Sequence, residues 1–206
     1  TTAVRRQLGQ DDADTTLLAH RADCYWYIWR EQYDAGQPAC EAVVATQRRV
    51  DPADRNALIK ARTNLAVLHS RAGRSVQAEE QFGRIRHEFA ALGDDSSPTW
   101  LRASYLHAMN LLALARYDEA GRLLETVHRG SVDALGEDNP HTLEVQLGLG
   151  RLYLERARAG EALPLLQHVH AAYARQFGED NHYTIDARTT LEAARCALGM
   201  GGTGCP

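Results

Sequence analysis

The sequence predicts an all-α fold, a solenoid in which antiparallel helix pairs stack on one another. Two observations predict it: a loop motif that recurs at one period, and helical spacing of apolar residues between the loops. Strand signals, in which Val, Ile or Thr alternate with polar residues between turns, are absent from the sequence. One helix pair cannot bury its apolar stripe alone, so neighbouring pairs must stack.

The recurring loop is clearest in LGEDNPHTL, which begins at Leu135, and FGEDNHYTI, which begins at Phe177. Weaker copies begin at Leu8, Val50 and Leu92. The steps between successive copies are 42, 42, 43 and 42 residues. A loop that recurs five times is expected to be a boundary between structural units, because five equivalent catalytic loops would be unusual.

Each residue type in the loop LGEDNPHTL has a role at a helix boundary. Gly136 suits the positive φ that ends a helix, and Asn139 and Pro140 suit the cap and first turn of the next one. Glu137 and Asp138 lie near that helix N-terminus, where negative charge is favourable. A calcium loop would instead supply oxygens at alternate positions and end with a bidentate Glu. The sequence therefore favours a structural role over a calcium site.

A second repeated signal lies between the loops. Ala78, Ala120 and Ala162 follow short turns and are spaced by 42 residues. Each unit is therefore predicted to be helix A, a short turn, helix B and a longer loop. We expect residues 1–198 to form one array, with the end of a preceding helix B, about four full repeats and a capping helix from about His182. Residues 199–206 are expected to be a flexible tail.

Composition narrows the range of functions. With 44% hydrophobic residues and a net charge of −4, the 206-residue chain is typical of a soluble protein and has no global basic field for nucleic acid or an anionic membrane. No apolar run approaches the roughly 20 residues that span a bilayer. The four cysteines form no CxxC pair, so we expect reduced thiols, with neither a zinc site nor a disulfide framework, in a cytoplasmic protein. They are Cys24, Cys40, Cys196 and Cys205.

The sequence does not predict a catalytic, metal or cofactor site. His168 and His170 point about 200° apart on a helix, so they do not readily share an ion. The sequence contains no HExxH, GxSxG, SxxK, GxGxxG or P-loop motif. We therefore expect no enzymatic activity, no metal and no cofactor.

The repeats resemble a known family. TNLAVLHSRAGRSVQAEEQF and GLGRLYLERARAGEALPLL are similar to tetratricopeptide repeats, with small residues at Ala66, Ala108 and Gly150. The period of 42 and the loop Gly-(Glu/Asp)-Asp-x-Pro-x-Thr-Leu resemble the kinesin-light-chain subtype, common in bacterial multidomain regulators. This resemblance implies a right-handed superhelix. The first unit departs from it, because Tyr25 and Tyr27 stand where a small residue is expected, and its turn, Ala35 to Pro38, is shifted.

The resemblance also implies a concave groove lined by the A helices. In members that bind peptides, an Asn at the position of Asn64 holds the ligand backbone, although Asn64 could instead bond a neighbouring helix. Four cations would make the groove locally basic, which suits an acidic peptide or a C-terminal carboxylate; ordinary solvated charge is the alternative. The predicted groove residues are Lys60, Asn64, Val67, Arg71, Arg102, Tyr105, Met109 and Arg151, with Trp26 and Trp29 from the first unit.

The resulting hypothesis is a non-catalytic module that binds a protein or peptide, within a larger cytoplasmic regulatory protein. It predicts no binding to nucleic acid or membranes by the module itself, and it leaves the oligomeric state open. Two alternatives remain at this point. The groove could be a sensor for a small molecule or signal peptide, or the array could be an arm for self-association or autoinhibition.

Overall fold

The computed structural model describes residues 13–92 and 97–200, and these ranges contain α-helices and no strand. The predicted all-α fold of antiparallel helix pairs is confirmed. Among the described helices, none combines the length and the apolar character that crossing a bilayer requires. The helices are α1 (Ala13–Trp29), α2 (Tyr33–Val50), α3 (Arg55–Arg71), α4 (Ser75–Leu92), α5 (Pro98–Ala113), α6 (Tyr117–Leu135), α7 (Pro140–Glu155), α8 (Ala159–Phe177) and α9 (His182–Ala197).

The chain divides into two compact units, Thr1–Leu106 and His107–Pro206. In the first unit α1 packs on α2, α2 on α3 and α3 on α4, and α1 also contacts α3. In the second unit α6 packs on α7, α7 on α8 and α8 on α9, and α7 also contacts α9. Contact between a helix and the next but one along the chain is how successive helix pairs stack.

The long loops are boundaries of the predicted kind. Gly136 has φ of 89° and follows α6, and the side chain of Asn139 accepts a hydrogen bond from the backbone N–H two residues later at 2.9 Å. Helix α7 then begins at Pro140, whose ring suits the first turn. The next copy repeats this arrangement with Gly178 at φ 86° and Asn181 as the cap. The residues of this loop therefore end one helix and start the next.

The acidic part of the same loop is tied to helix α8. Asp138 lies 3.3 Å from Nε2 of His168 and 3.4 Å from a guanidinium nitrogen of Arg175. Its backbone carbonyl accepts a hydrogen bond from the side chain of Gln176 at 2.7 Å. His170 instead faces Glu179, at 3.5 Å. The two histidines thus have different carboxylate partners, in agreement with their predicted divergence.

The short turn within each helix pair recurs at a constant interval along the described chain. Glu31, Gly73, Ala115 and Ala157 all have positive φ, at 57°, 74°, 55° and 56°, and stand 42 residues apart. In each turn the N–H of the following residue bonds a carbonyl five residues back, as Arg74 does at 2.8 Å. This is the bonding of a helix end that closes through a left-handed residue.

The predicted position of the first turn is wrong. The turn lies at Glu31 and not at Ala35 to Pro38, because α2 begins at Tyr33 and contains Pro38. The nearby glycine has a packing role: a Cβ on Gly36 would lie 2.5 Å from Cβ of Tyr27. Gly36 therefore takes the small position that Ala occupies in the later repeats.

Each helix pair is closed by a contact between a small and a large residue. The small residue of helix A and a residue 16 positions later in helix B are buried in every repeat from the second onward. The contact is tight in the fourth repeat, where a Cβ on Gly150 would lie 2.5 Å from Cδ2 of Leu166. The pairs are Ala66 with Phe82, Ala108 with Leu124, and Gly150 with Leu166.

In the first repeat the same two positions are joined covalently. Cys24 and Cys40 form a disulfide with a Cα–Cα distance of 4.8 Å, and both side chains are buried. Cys196 is disulfide-bonded as well. The prediction of reduced thiols is therefore wrong for these cysteines. Their spacing of 16 residues is that of the small–large pair, so the small residue of the first helix A is Cys24, and Tyr25 and Tyr27 follow it.

Candidate functional site

One face of α3 forms the centre of a groove in the first unit. Lys60, Asn64, Val67 and Arg71 follow one another at spacings of four, three and four residues, which places them on a single helical stripe. Lys60 and Arg71 are exposed, while Asn64 and Val67 are half-buried. Asp54 caps the helix: its carboxylate accepts a hydrogen bond from the backbone N–H of residue 57 at 2.9 Å and so fixes the first turn.

The groove has two further walls and a volume of about 370 Å³. The N-terminal half of α5 forms one wall and the C-terminal half of α1 forms the other. All the lining residues named here belong to the first unit. They are Tyr25 and Ile28 from α1, Thr63 beside the stripe of α3, and Thr99, Arg102, Ala103 and Leu106 from α5.

The groove is basic although the chain as a whole is acidic. Among the described residues that line it, Lys60, Arg71 and Arg102 are cationic and none is acidic. The guanidinium carbon of Arg102 also lies 5.8 Å from the ring centre of Tyr105, close enough for a cation–π interaction. Lys60 and Arg71 form no ion pair with another described residue, so both charges are available to a ligand.

Asn64 lies between these charges with its side-chain amide available. It makes no hydrogen bond to any described residue of the protein, although it is half-buried. The alternative in which Asn64 bonds a neighbouring helix is therefore not observed in the described part of the chain. An amide in this position can both donate to and accept from a peptide backbone.

The basic character changes along the repeat. The position of Lys60 recurs 42 residues later as Arg102, but its next two occurrences, in the second unit, are Glu144 and Asp186. Arg151, which the sequence places in the groove, lies in the second unit, where its guanidinium is 2.5 Å from the carboxylate of Asp186. Its charge is thus neutralised locally, and it does not line the groove of the first unit.

The other four predicted groove residues lie outside the described lining. Tyr105 is 5% exposed and belongs to the packed side of α5, and Met109 is half-buried in the second unit. Trp26 and Trp29 are 50% and 78% exposed on α1, and the Trp26 ring packs edge-on against Tyr27 at 4.9 Å. Consecutive residues of a helix point about 100° apart. Tyr25 and Ile28 therefore face the groove, whereas Trp26 and Trp29, which directly follow them, do not.

A 42-residue shift would have identified one residue of the α1 wall, Tyr25. Tyr25 stands 42 residues before Val67, and the same shift relates two other exposed residues of α1 to the α3 stripe. These three α1 residues are apolar and 56–78% exposed. The full correspondence is Leu18 with Lys60, Tyr25 with Val67, and Trp29 with Arg71. The first repeat therefore presents an apolar face where the second presents a basic one.

Comparison with known proteins agrees with this architecture. Residues 101–175 match the family model for the tetratricopeptide repeat. This segment is therefore similar to tetratricopeptide repeats. No match was found among curated proteins.

Solved structures extend the likeness to nearly the whole chain. Kinesin light chain TPR-like repeats from Podosopora anserina superpose with a TM-score of 0.73 at 22% identity, over 92% of this chain and 89% of theirs. A second crystal structure of those repeats superposes with a TM-score of 0.73 at 23% identity, over 89% and 86%. BtubC (BKLC) from P. vanneervenii superposes with a TM-score of 0.79 at 17% identity, over 96% and 80%. The fold is therefore that of kinesin-light-chain-like tetratricopeptide repeats.

Proposed function

We propose that this chain is a non-catalytic binding module whose first unit holds an acidic peptide segment, or a peptide's C-terminal carboxylate, in the groove of α1, α3 and α5. Tetratricopeptide repeats are in general modules for protein interaction, which supports the broad class. The observation that carries the proposal is the charge of the groove. Three cations and no acidic residue are found among its described lining residues, in a chain with a net charge of −4.

The groove offers a distinct role to each kind of side chain. Lys60 at one end of the α3 stripe and Arg71 at the other can each pair with a carboxylate, and Arg can do so through two parallel hydrogen bonds. Asn64 between them can bond the peptide backbone. Val67 and Tyr25 supply apolar surface for a ligand side chain. The expected ligand therefore carries at least one carboxylate next to an apolar residue.

A peptide set of one length tests the charge preference. Fluorescently labelled peptides with acidic, neutral and basic sequences are titrated with the protein, and anisotropy reports binding. Each acidic peptide is made with a free C-terminal carboxylate and as the amide, which separates side-chain from terminal recognition. The expected result is binding of acidic peptides that weakens as salt is raised, because salt screens exposed charges. Equal binding of acidic and basic peptides would contradict the proposal.

Charge reversal then tests the location. Lys60→Glu/Arg102→Glu places two negative charges in the groove, and each reversal replaces an attraction of about 1 kcal/mol by a similar repulsion. We expect at least a tenfold loss of affinity for an acidic peptide. The matched control, Arg49→Glu/Arg86→Glu, makes the same change in net charge on exposed residues of α2 and α4. A loss as large in the control would show that only overall charge matters.

The size of the groove supports a second candidate, a sensor for a small anionic molecule. Its volume of about 370 Å³ lies in the range of small-molecule sites, which is about 300–1,000 Å³. A ligand that binds only the folded protein raises its melting temperature. A thermal-shift screen of small carboxylates and phosphates, repeated with Lys60→Glu/Arg102→Glu, separates the candidates. A shift lost in that variant favours the sensor, and no shift with any compound argues against it.

A further inference from the structure

We propose that Cys24 and Cys40 are a site of reversible thiol oxidation, and that their disulfide holds α1 on α2. In the oxidised protein α1 is docked and contributes a wall to the groove. In the reduced protein α1 separates from α2, and the wall is lost. The inference concerns the docking of α1, which can be measured whether or not the groove binds a peptide.

Among the described helices, α1 buries the fewest side chains. Among its described side chains only Leu17 and Cys24 are buried. Helix α7, by contrast, buries nine residues. The outward face of α1 carries Leu18, Tyr25 and Trp29, which are 56–78% exposed. Since buried apolar area is the main source of helix docking, the Cys24–Cys40 bond carries a larger share of the attachment of α1 than a single side chain does in α7.

The side chains at the centre of the α1–α2 contact make the bond necessary. In the later repeats a small residue of helix A faces Phe or Leu of helix B, and both are buried. In the first repeat both positions hold cysteine, so the large partner is missing. With the bond formed, the two sulfurs fill the contact. With the bond broken, two small thiols face each other where another repeat has Phe82, and the contact is underpacked.

Two polar contacts also join α1 to α2, and both are partly buried. Arg21 donates a hydrogen bond to the side-chain carbonyl of Gln47 at 2.8 Å, and His20 lies 3.3 Å from the hydroxyl of Thr46. Partly exposed bonds of this kind contribute little net stability, because water replaces them when the helices separate. They can guide α1 back to its place without holding it there.

Two residues close to Cys24 in sequence couple the disulfide to the groove. Tyr25 is adjacent to Cys24, and Ile28 lies one helical turn later; both line the groove. The disulfide holds both residues near α2 and allows only brief local opening of α1. Once the bond is reduced, separation of α1 removes both apolar contacts together and leaves the basic stripe of α3 open on that side.

The chemistry is thiol–disulfide exchange with a small disulfide oxidant of the glutathione type. One cysteine, as the thiolate, attacks the oxidant and expels its first thiolate, which forms a mixed disulfide. The second cysteine then attacks the sulfur of the first cysteine in the mixed disulfide. This forms the protein disulfide and expels the second small thiolate. The two cysteines lose two protons and two electrons, and the oxidant becomes two small thiols. Because both sulfurs are buried, exchange requires α1 to open, which its low burial permits.

Amide hydrogen exchange of the full chain, read by mass spectrometry, tests the proposal. The protein is equilibrated in oxidised and in reduced glutathione buffers, and exchange is followed in α1 and, as an internal reference, in α7 and α8. We expect exchange in α1 to accelerate at least tenfold on reduction while α7 and α8 keep their rates. Unchanged exchange in α1 after the bond has been reduced would overturn the proposal.

A repacked variant isolates this bond from the disulfide of Cys196. Cys24→Ala/Cys40→Leu restores the small–large pair of the later repeats, so α1 should remain protected in both buffers. If α1 in this variant still responds to reduction, the response comes from Cys196 and the proposal fails. The proposal also fails if glutathione buffers reduce the wild-type bond only when the second unit unfolds. The disulfide would then be a permanent cross-link.

Discussion

A single methyl group placed on Gly36 tests how closely α1 and α2 approach. Gly36 lies in α2 and is buried against α1. A Cβ there would meet Cβ of Tyr27 at 2.5 Å, Cγ of Tyr27 at 3.1 Å and Cδ1 of Leu68 at 3.3 Å. The Tyr27 Cβ is fixed to its backbone and cannot rotate away. Gly36→Ala therefore forces α1 and α2 apart.

The expected magnitude combines two opposite effects. Alanine in place of glycine in a helix stabilises by about 1 kcal/mol. Overpacking a buried contact costs about 1–3 kcal/mol, and the upper part of that range applies because the clash involves backbone-linked atoms. The net loss in the free energy of unfolding for Gly36→Ala is therefore about 1–2 kcal/mol. At Gly83, inside α4, an added Cβ meets nothing within 4 Å, so Gly83→Ala should gain up to about 1 kcal/mol.

Urea unfolding followed by circular dichroism measures both variants in the same unit of the protein. The difference between them isolates the packing cost from the helix propensity that they share, and it should be about 2–3 kcal/mol. If Gly36→Ala is as stable as Gly83→Ala, the close approach of α1 and α2 described here is wrong.

Three further predictions concern the turns, the loop cap and a half-buried histidine. Ala157→Gly should stabilise by about 0.5–1 kcal/mol, because only glycine adopts positive φ without strain, and Gly73→Ala should destabilise by a similar amount; thermal melts with the opposite ranking would refute this. Asn139→Ala should cost about 1 kcal/mol in urea unfolding, since the cap bond to α7 is lost; an unchanged midpoint would show that the cap contributes nothing. Burial lowers the pKa of His128 in the folded state below its unfolded value of 6.5, so the unfolded state takes up the proton first and stability falls as pH drops below about 6.5. His128→Gln should show a shallower fall between pH 7.5 and 5 than the exposed control His87→Gln; identical pH profiles would contradict the assignment.

Much of the fold could be predicted from the sequence because the repeat applies the same local chemistry several times. Gly136, Asn139 and Pro140 each have a conformational preference that acts within a few residues, so their roles follow from local rules. The first repeat was mispredicted where local and tertiary requirements differ. Gly36 and Pro38 form a turn-like pattern, but Gly36 is small because Tyr27 packs against it.

The disulfide shows what spacing can and cannot predict. No rule of local spacing pairs Cys24 with Cys40, because a separation of 16 residues matches no metal or redox motif. The same separation joins the small and large residues of the other repeats, so an alignment of the repeats with one another pairs Cys24 with Cys40. A prediction from this repeat geometry requires the correct register of the first turn, which sequence reasoning misplaced.

The groove was predicted in part for the same reason. The α3 stripe from Lys60 to Arg71 follows from the resemblance to tetratricopeptide repeats together with helical spacing, and these residues line one pocket. Tyr25 and Ile28 depend on the register of the first repeat, and Arg151 depends on its neighbour Asp186, which is 35 residues away in sequence. Ion pairs across such distances are set by packing between helices and leave no local signal.

The central claim is that the basic groove of the first unit is the binding surface, and mapping of backbone amide signals by NMR tests it most directly. An acidic peptide with a free carboxylate is titrated into the uniformly labelled protein, and shifts are followed residue by residue. We expect the largest shifts at Asn64, Arg71 and Arg102, with α8 unaffected. Shifts confined to the second unit, with those three amides unmoved at saturation, would contradict it.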